Sequence, residues 1–143
     1  MNVTIEIKCK IDELIHLLLT DGVQPSDLTD NIFLDDYSNI SYRRQNQMII
    51  GELVFREEMF NKLVETKLRY YYSLDKKLLR IDEETYKGTN VIWDRDTTEA
   101  NILDELLVLL NTSYEQEQIS RFLSTLPSNL KTKIEKKLHS LIA

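Results

Sequence analysis

The sequence predicts an α+β fold, mainly α-helical and a single domain over residues 1–143: an N-terminal strand plus a short hairpin, with a long central helix and a C-terminal helical bundle. Three observations predict it. Residues 2–9 alternate apolar and polar, residues 41–74 carry an apolar stripe at helical spacing, and the C-terminal part is leucine-rich with apolar residues recurring every three or four positions. A length of 143 residues with 42% apolar content suits one domain that buries its own core. Three glycines and two prolines disfavour a turn-rich all-β chain.

In the N-terminal segment Val3, Ile5, Ile7 and Cys9 share one face of a period-2 pattern, with Thr4, Glu6 and Lys8 on the other. Ile11, Leu14, Ile15, Leu18 and Leu19 then recur as on a helix, which Gly22 ends. Pro25-Ser26-Asp27 opens a second short helix carrying Leu28, Ile32 and Phe33. From Ser41 to Leu74, the residues Leu53, Phe60, Val64, Leu68 and Tyr71 form one helical stripe. Glu52 with Arg56, Glu58 with Lys62 and Glu65 with Arg69 are acid-first i,i+4 pairs that support that helix, and Gly51 marks a kink or a close contact. Leu79-Arg80-Ile81 and Asn90-Val91-Ile92-Trp93 read as two strands around the polar stretch Asp82–Thr89, where Gly88 allows a turn. The N-terminal strand pairs with this hairpin or with a strand swapped from another subunit.

Asp96-Thr97-Thr98-Glu99 has the form of a capping box ahead of Ile102, Leu103, Leu106, Leu107, Leu109 and Leu110. A helix over Tyr114–Leu126 carries Ile119, Phe122, Leu123 and Leu126. Pro127 separates it from a last helix with Leu130, Ile134, Leu138 and Leu141.

Charge alternates in blocks. Residues 1–40 hold 2 basic and 8 acidic side chains, residues 41–80 hold 9 and 5, residues 81–126 hold 3 and 10, and residues 127–143 hold 4 and 1, for a net charge of −6. Such blocks suit complementarity within the chain or between subunits, and the acidic total disfavours a general polyanion binder. No apolar run approaches the roughly 18–20 residues of a membrane span, and Met1-Asn2-Val3 lacks the regions of a signal peptide. The expectation is a cytoplasmic protein without a membrane partner. Its richness in Ile, Asn, Lys and Tyr points to an AT-rich genome, such as a low-GC bacterium or a mobile element within one.

Little in the sequence looks like an active site. His16 and His139 form no ligand pair, and with the lone Cys9 they give only three nitrogen or sulfur ligands where a structural zinc needs about four. Cys9, on the apolar face of the strand, reads as an inert thiol rather than the partner of His16. Gly22, Gly51 and Gly88 stand apart, so no phosphate-cradling loop exists, and Asp35-Asp36, Asp82-Glu83-Glu84 and Asp94 with Asp96 read as solvated loop charges. Neither catalysis, nor a cofactor, nor a metal is expected. The helix after Gly22 carries Asp27, Asp30 and Asp35 without a cation, which disqualifies it as a reader of DNA. Lys131, Lys133, Lys136 and Lys137 surround the last apolar stripe and complement the end of their own helix.

By elimination the expected function is a non-enzymatic protein–protein interaction module, an adaptor, an inhibitor or immunity-type protein, or an assembly protein, that acts by stoichiometric binding to another protein. Phe55, Phe60, Arg69, Tyr70, Tyr72 and Trp93 are the expected partner-binding residues, since aromatic and arginine side chains dominate interface anchors. A 34-residue helix of about 51 Å outreaches a globule whose radius of gyration is about 14–15 Å, so the chain is also expected to form a homodimer along it. Two other readings stand beside this one. Acidic segments 27–36 and 82–105 could serve as a decoy that occupies a nucleic-acid-binding protein. The basic and aromatic block 42–80, with Tyr42-Arg43-Arg44, Lys67 to Tyr72, Lys76-Lys77 and Arg80, could bind single-stranded nucleic acid.

Overall fold

A computed structural model of the chain describes residues 3–142, with side chains up to His139. The chain divides into two compact units, one made of residues up to Leu19 together with those from Thr97, the other of Thr20–Asp96.

The first unit is helical. Its elements are α1 (Val3–Leu19), most of α3 (Arg95–Ser113), α4 (Gln116–Ser124) and α5 (Ser128–Ile142). The expected N-terminal strand is the first two turns of α1. Val3, Ile7, Ile11, Leu14 and Leu18 lie three or four residues apart and face one core, while Ile5 and Cys9 point outward and are exposed. The period-2 pattern over residues 2–9 superposes two helix faces, and Asn2 lies outside the described residues. Ile7, Ile11 and Leu14 pack on Leu103, Leu106, Leu107 and Leu110, and on Ile119, Leu123, Leu130 and Ile134. Each such side chain contributes about 1.5–3 kcal/mol when fully buried, which outweighs the small β preference of the segment.

Helix α3 starts at Arg95, before the expected Asp96 cap, because the Asp94 carboxylate accepts the Asp96 N–H at 3.0 Å. The Gln118 side-chain oxygen accepts the Glu115 N–H at 2.9 Å at the head of α4, and Pro127 lies in the gap before α5. The Leu141 side chain lies outside the described residues. Charges pair between helices: Lys133 reaches Glu99 at 2.6 Å, Lys137 reaches Asp104 at 3.1 Å, and Lys10 contacts Glu105 and Glu13. The basic terminal block is thus spent partly on the acidic block before it.

The second unit corrects the main expectation. Residues 41–74 are not a helix: β1 (Tyr37–Gln45), β2 (Met48–Met59) and β3 (Lys62–Ser73) run antiparallel, followed by β4 (Leu78–Thr85) and β5 (Gly88–Asp94) in a five-stranded sheet of order β1-β2-β3-β4-β5. The fold is α+β with an extended antiparallel meander, and the long helix that motivated a dimer does not exist. Asn46-Gln47 and Phe60-Asn61 both adopt left-handed backbone, with φ of 51° and 65°, and of 52° and 63°. Two consecutive left-handed residues make the two-residue turn that suits a twisted hairpin. Between these turns, Ile, Val, Tyr and Thr fill the strands, and such residues lose rotamer freedom in a helix and fit a pleated surface. The expected hairpin at 79–93 is present, but its strands also take in the stretch Asp82–Thr89 up to a tight turn at Tyr86-Lys87, before Gly88 at φ 126°.

One face of the sheet buries Leu53, Tyr72 and Leu78 against Leu28, flanked by Tyr37, Ile40, Ile49, Leu68, Tyr70, Ile81 and Trp93. Leu28 belongs to α2 (Pro25–Thr29), which a 3₁₀ turn over Asp30–Phe33 continues. Gly51 explains itself here. Tyr42 is its cross-strand partner, and a β-carbon at Gly51 would stand 2.9 Å from the Tyr42 ring. That ring is held in place, because its hydroxyl donates to the Pro25 carbonyl at 2.8 Å and meets the Thr29 hydroxyl at 2.9 Å.

Gly51→Ala is therefore expected to destabilise the protein by about 1–3 kcal/mol, read as a lowered thermal midpoint. In a Tyr42→Ala background the same substitution should be neutral or stabilising, because only the β preference of alanine over glycine remains. Equal costs in both backgrounds would refute the contact.

Candidate functional site

The six expected binding residues all fall on the sheet unit, and pairing register separates them. Residues 66, 68, 70 and 72 of β3 face the core, whereas 67, 69 and 71 face the opposite side, since side chains alternate along a strand. Tyr72 is 1% exposed, and its hydroxyl donates to the Val23 carbonyl at 2.6 Å. Burial raises its phenol pKa above the ordinary value, as it does for Tyr70. Phe55 is half-buried on the same face, its ring centroid 5.3 Å from that of Tyr37. Trp93 packs at the edge of this core with the Arg95 guanidinium 5.6 Å from its ring centre. Four of the six are thus core or core-edge side chains.

Arg69 occupies the middle of the opposite face. Its Nε donates to Glu52 at 2.9 Å and a terminal nitrogen to Glu84 at 3.2 Å, which joins β2, β3 and β4 in one ion-pair network. The hydrogen bond to Glu52 is the main cause of its raised pKa. The helical pairing of Arg69 with Glu65 is replaced by these cross-strand partners. Beside it, Arg80 lies 4.2 Å over the Tyr71 ring and 3.0 Å from the Asp82 carboxylate. The cations and aromatics of block 42–80 are therefore largely occupied with one another and with carboxylates, rather than set out as one stacking surface.

Of the six, Phe60 projects freely. It is 88% exposed at the tip between β2 and β3, and Leu63, the second residue of β3, is 72% exposed. The first register pair between β3 and β4 is Lys67 with Glu84, and β4 ends at Thr85, so residues 62–65 extend past β4. At about 3.4 Å per residue, the hairpin overhangs by roughly 14 Å. A cavity of about 430 Å³ occupies the notch, lined by Leu63, Val64, Glu65, Lys67, Glu84 and Tyr86. Leu63 and Tyr86 were not among the expected residues. The signal that could have found them is the Phe60-Asn61 step between two alternating segments, which read as part of a helix.

Arg95 was missed too. It is buried, and it donates to the carbonyls of Leu78 at 2.7 Å and Thr20 at 3.0 Å, tying the start of β4 to the segment ahead of α2. Its position between Asp94 and Asp96 read as part of a run of solvated charges and gave no hint of this. Among the described residues, no group of three or more His, Cys, Asp or Glu side chains is placed to hold a metal ion, and no helix is long and apolar enough to cross a membrane. Cys9 and His16 are both exposed on α1, which corrects the buried thiol expected for Cys9.

The family models, the curated proteins and the solved structures offer no match to this chain.

Tyr72→Phe removes a hydroxyl without changing packing and leaves the Val23 carbonyl short of its donor. A loss of about 1 kcal/mol in urea unfolding is expected. An unchanged midpoint would show that water replaces the hydroxyl.

Proposed function

We propose that the protein acts by stoichiometric binding to another protein, without catalysis, and that the overhanging β2–β3 hairpin is its binding element. The observation that carries this reading is Phe60: a bulky apolar residue, 88% exposed, in left-handed backbone at φ 52°. That conformation costs a non-glycine residue roughly 1–2 kcal/mol, and the exposed ring recovers none of it within the chain. The turn requires left-handed backbone at this position but not an aromatic ring, and a residue costlier there than the turn demands is a mark of a functional position. Met59 and Leu63 flank the tip, so the hairpin end offers an apolar wedge, while Glu57, Glu58, Lys62 and Glu65 supply a charged rim around it. The partner this chemistry fits is a protein with an apolar cleft. Of the original six anchors, Phe60 keeps its role in this proposal, and Tyr72 and Arg69 serve the fold.

Phe60→Asn separates function from stability. Asparagine tolerates left-handed backbone, so the variant should be more stable than the parent by about 0.5–1 kcal/mol. It should nevertheless lose the partner that the wild-type chain retains at about 1:1 stoichiometry in affinity capture from its native host. Leu63→Ser should weaken the same capture. Retention of the partner by both variants, or recovery only of nucleic acid that nuclease removes, would refute the proposal.

A further inference from the structure

The core of the helical unit has an opening on one side. A cavity of about 300 Å³ enters it between α1, the link at Tyr114 and α4. Protein interiors hold few voids larger than a water molecule, and this volume stands at the lower end of the range that houses small ligands. Its walls are divided by polarity. Ile7 and Ile11, one turn apart on α1, form the floor with Phe122 and Leu126, and all four belong to the core of this unit. Thr4 and Lys8, also one turn apart, lie at the exposed mouth with Gln118. The Thr4 hydroxyl meets that of Tyr114 at 3.2 Å, which closes one wall.

The mouth offers donors. Lys8 carries the only charge in the lining, and it has no carboxylate partner among the described residues, whereas Lys10 contacts both Glu13 and Glu105. The Gln118 side-chain oxygen already accepts the Glu115 N–H at 2.9 Å, so the group that Gln118 turns to a ligand is its NH₂. An ammonium and an amide NH₂ beside an apolar floor call for an acceptor head with an apolar tail, and a lone cation matches a single negative charge.

We propose that this cavity binds a small monocarboxylate, with its carboxylate at Lys8 and Gln118 and its tail on Ile7, Ile11, Phe122 and Leu126. At about 30 Å³ for each water-sized group, the volume holds about ten non-hydrogen atoms, the size of octanoate. That leaves no room for a peptide backbone beside an apolar side chain, which favours a free acid over the C-terminus of a protein. The cavity belongs to the helical unit, so the inference does not rest on partner binding by the β2–β3 hairpin.

Titration of the full chain with sodium octanoate to about 10 mM, followed by methyl and ring NMR signals, tests the inference. Saturable shifts at Ile7, Ile11, Phe122 and Leu126 are expected, with a dissociation constant of roughly 0.1–1 mM. Each methylene removed from the probe should weaken binding about fourfold. Octan-1-ol, which has the tail without the charge, should bind at least about threefold more weakly, and octylammonium should produce no shifts at these residues. Lys8→Gln should raise the dissociation constant for octanoate at least about threefold and leave the thermal midpoint of the free protein unchanged, because Lys8 is exposed. Phe60→Asn should bind octanoate as the wild type does. Absence of saturable shifts would overturn the inference, as would shifts confined to other residues or an affinity indifferent to Lys8→Gln. Octan-1-ol binding as tightly as octanoate would also overturn it, since the cavity would then be a general apolar contact. So would displacement of octanoate by a leucine-terminated peptide that binds more tightly, because the site would then belong to a protein partner.

Discussion

A two-residue turn leaves a hairpin no freedom of register, and the pairing of β2 with β3 across Phe60-Asn61 decides which side chains of the sheet lie inside. Met59 opposite Lys62 fixes Leu53 opposite Leu68, Gly51 opposite Tyr70 and Ile49 opposite Tyr72. A slip of one residue would expose Leu68, Tyr70 and Tyr72 and bury Lys67 and Arg69 in their place. Other features of the unit follow from this register. Tyr42 meets Gly51, so its hydroxyl reaches α2, and Leu28 of that helix closes over the apolar face. The register also carries Arg69 to a point between Glu52 and Glu84, where one guanidinium serves two carboxylates on neighbouring strands.

Charge plays a local part in both units. The sheet unit spends its cations along β3 and β4, on Glu52, Glu84 and Asp82, and the helical unit spends Lys133, Lys137 and Lys10 on acids of α3. Blocks of opposite sign along the chain thus become facing rows inside each unit. Surface pairs of this kind contribute little individually, about 0–1 kcal/mol. Their value lies in excluding alternatives, since a shifted strand would set Arg69 or Lys67 against the wrong neighbours.

On the sheet unit these arrangements leave unsatisfied surface of two kinds. One is the hairpin end with Phe60 and Leu63, where apolar surface stands in water and the backbone is held in an uncommon conformation. The other is the outer sides of β1 and β5, where backbone groups have no strand beside them. The first is a side-chain surface and the second a main-chain surface. They suit different kinds of recognition, an apolar wedge for a cleft and an edge for another strand.

Local signals were legible in the sequence wherever an element depends on neighbours along the chain. The leucines of α3, the apolar positions of α4 and α5, the break at Pro127 and the turn before Gly88 mark those helices and the last hairpin without knowledge of distant residues. The exposed aromatic at Phe60 was legible as a candidate anchor, although its position at a turn was not. Residues 2–9 and 41–74 were misread because their apolar positions satisfy both periods, and only the partner surface decides between them. For the first, the leucines of α3 offer a helical groove. For the second, β2 and β3 find twelve residues each of complementary strand in one another, a pairing between positions up to 25 apart that no single window of sequence contains. The sequence by itself determined the composition of the core and the helices of the C-terminal part. The tertiary structure alone decided which face of β3 looks inward, and with it that Tyr72 and Arg69 hold the sheet while Phe60 stands in solvent, because register is a property of two strands and not of one.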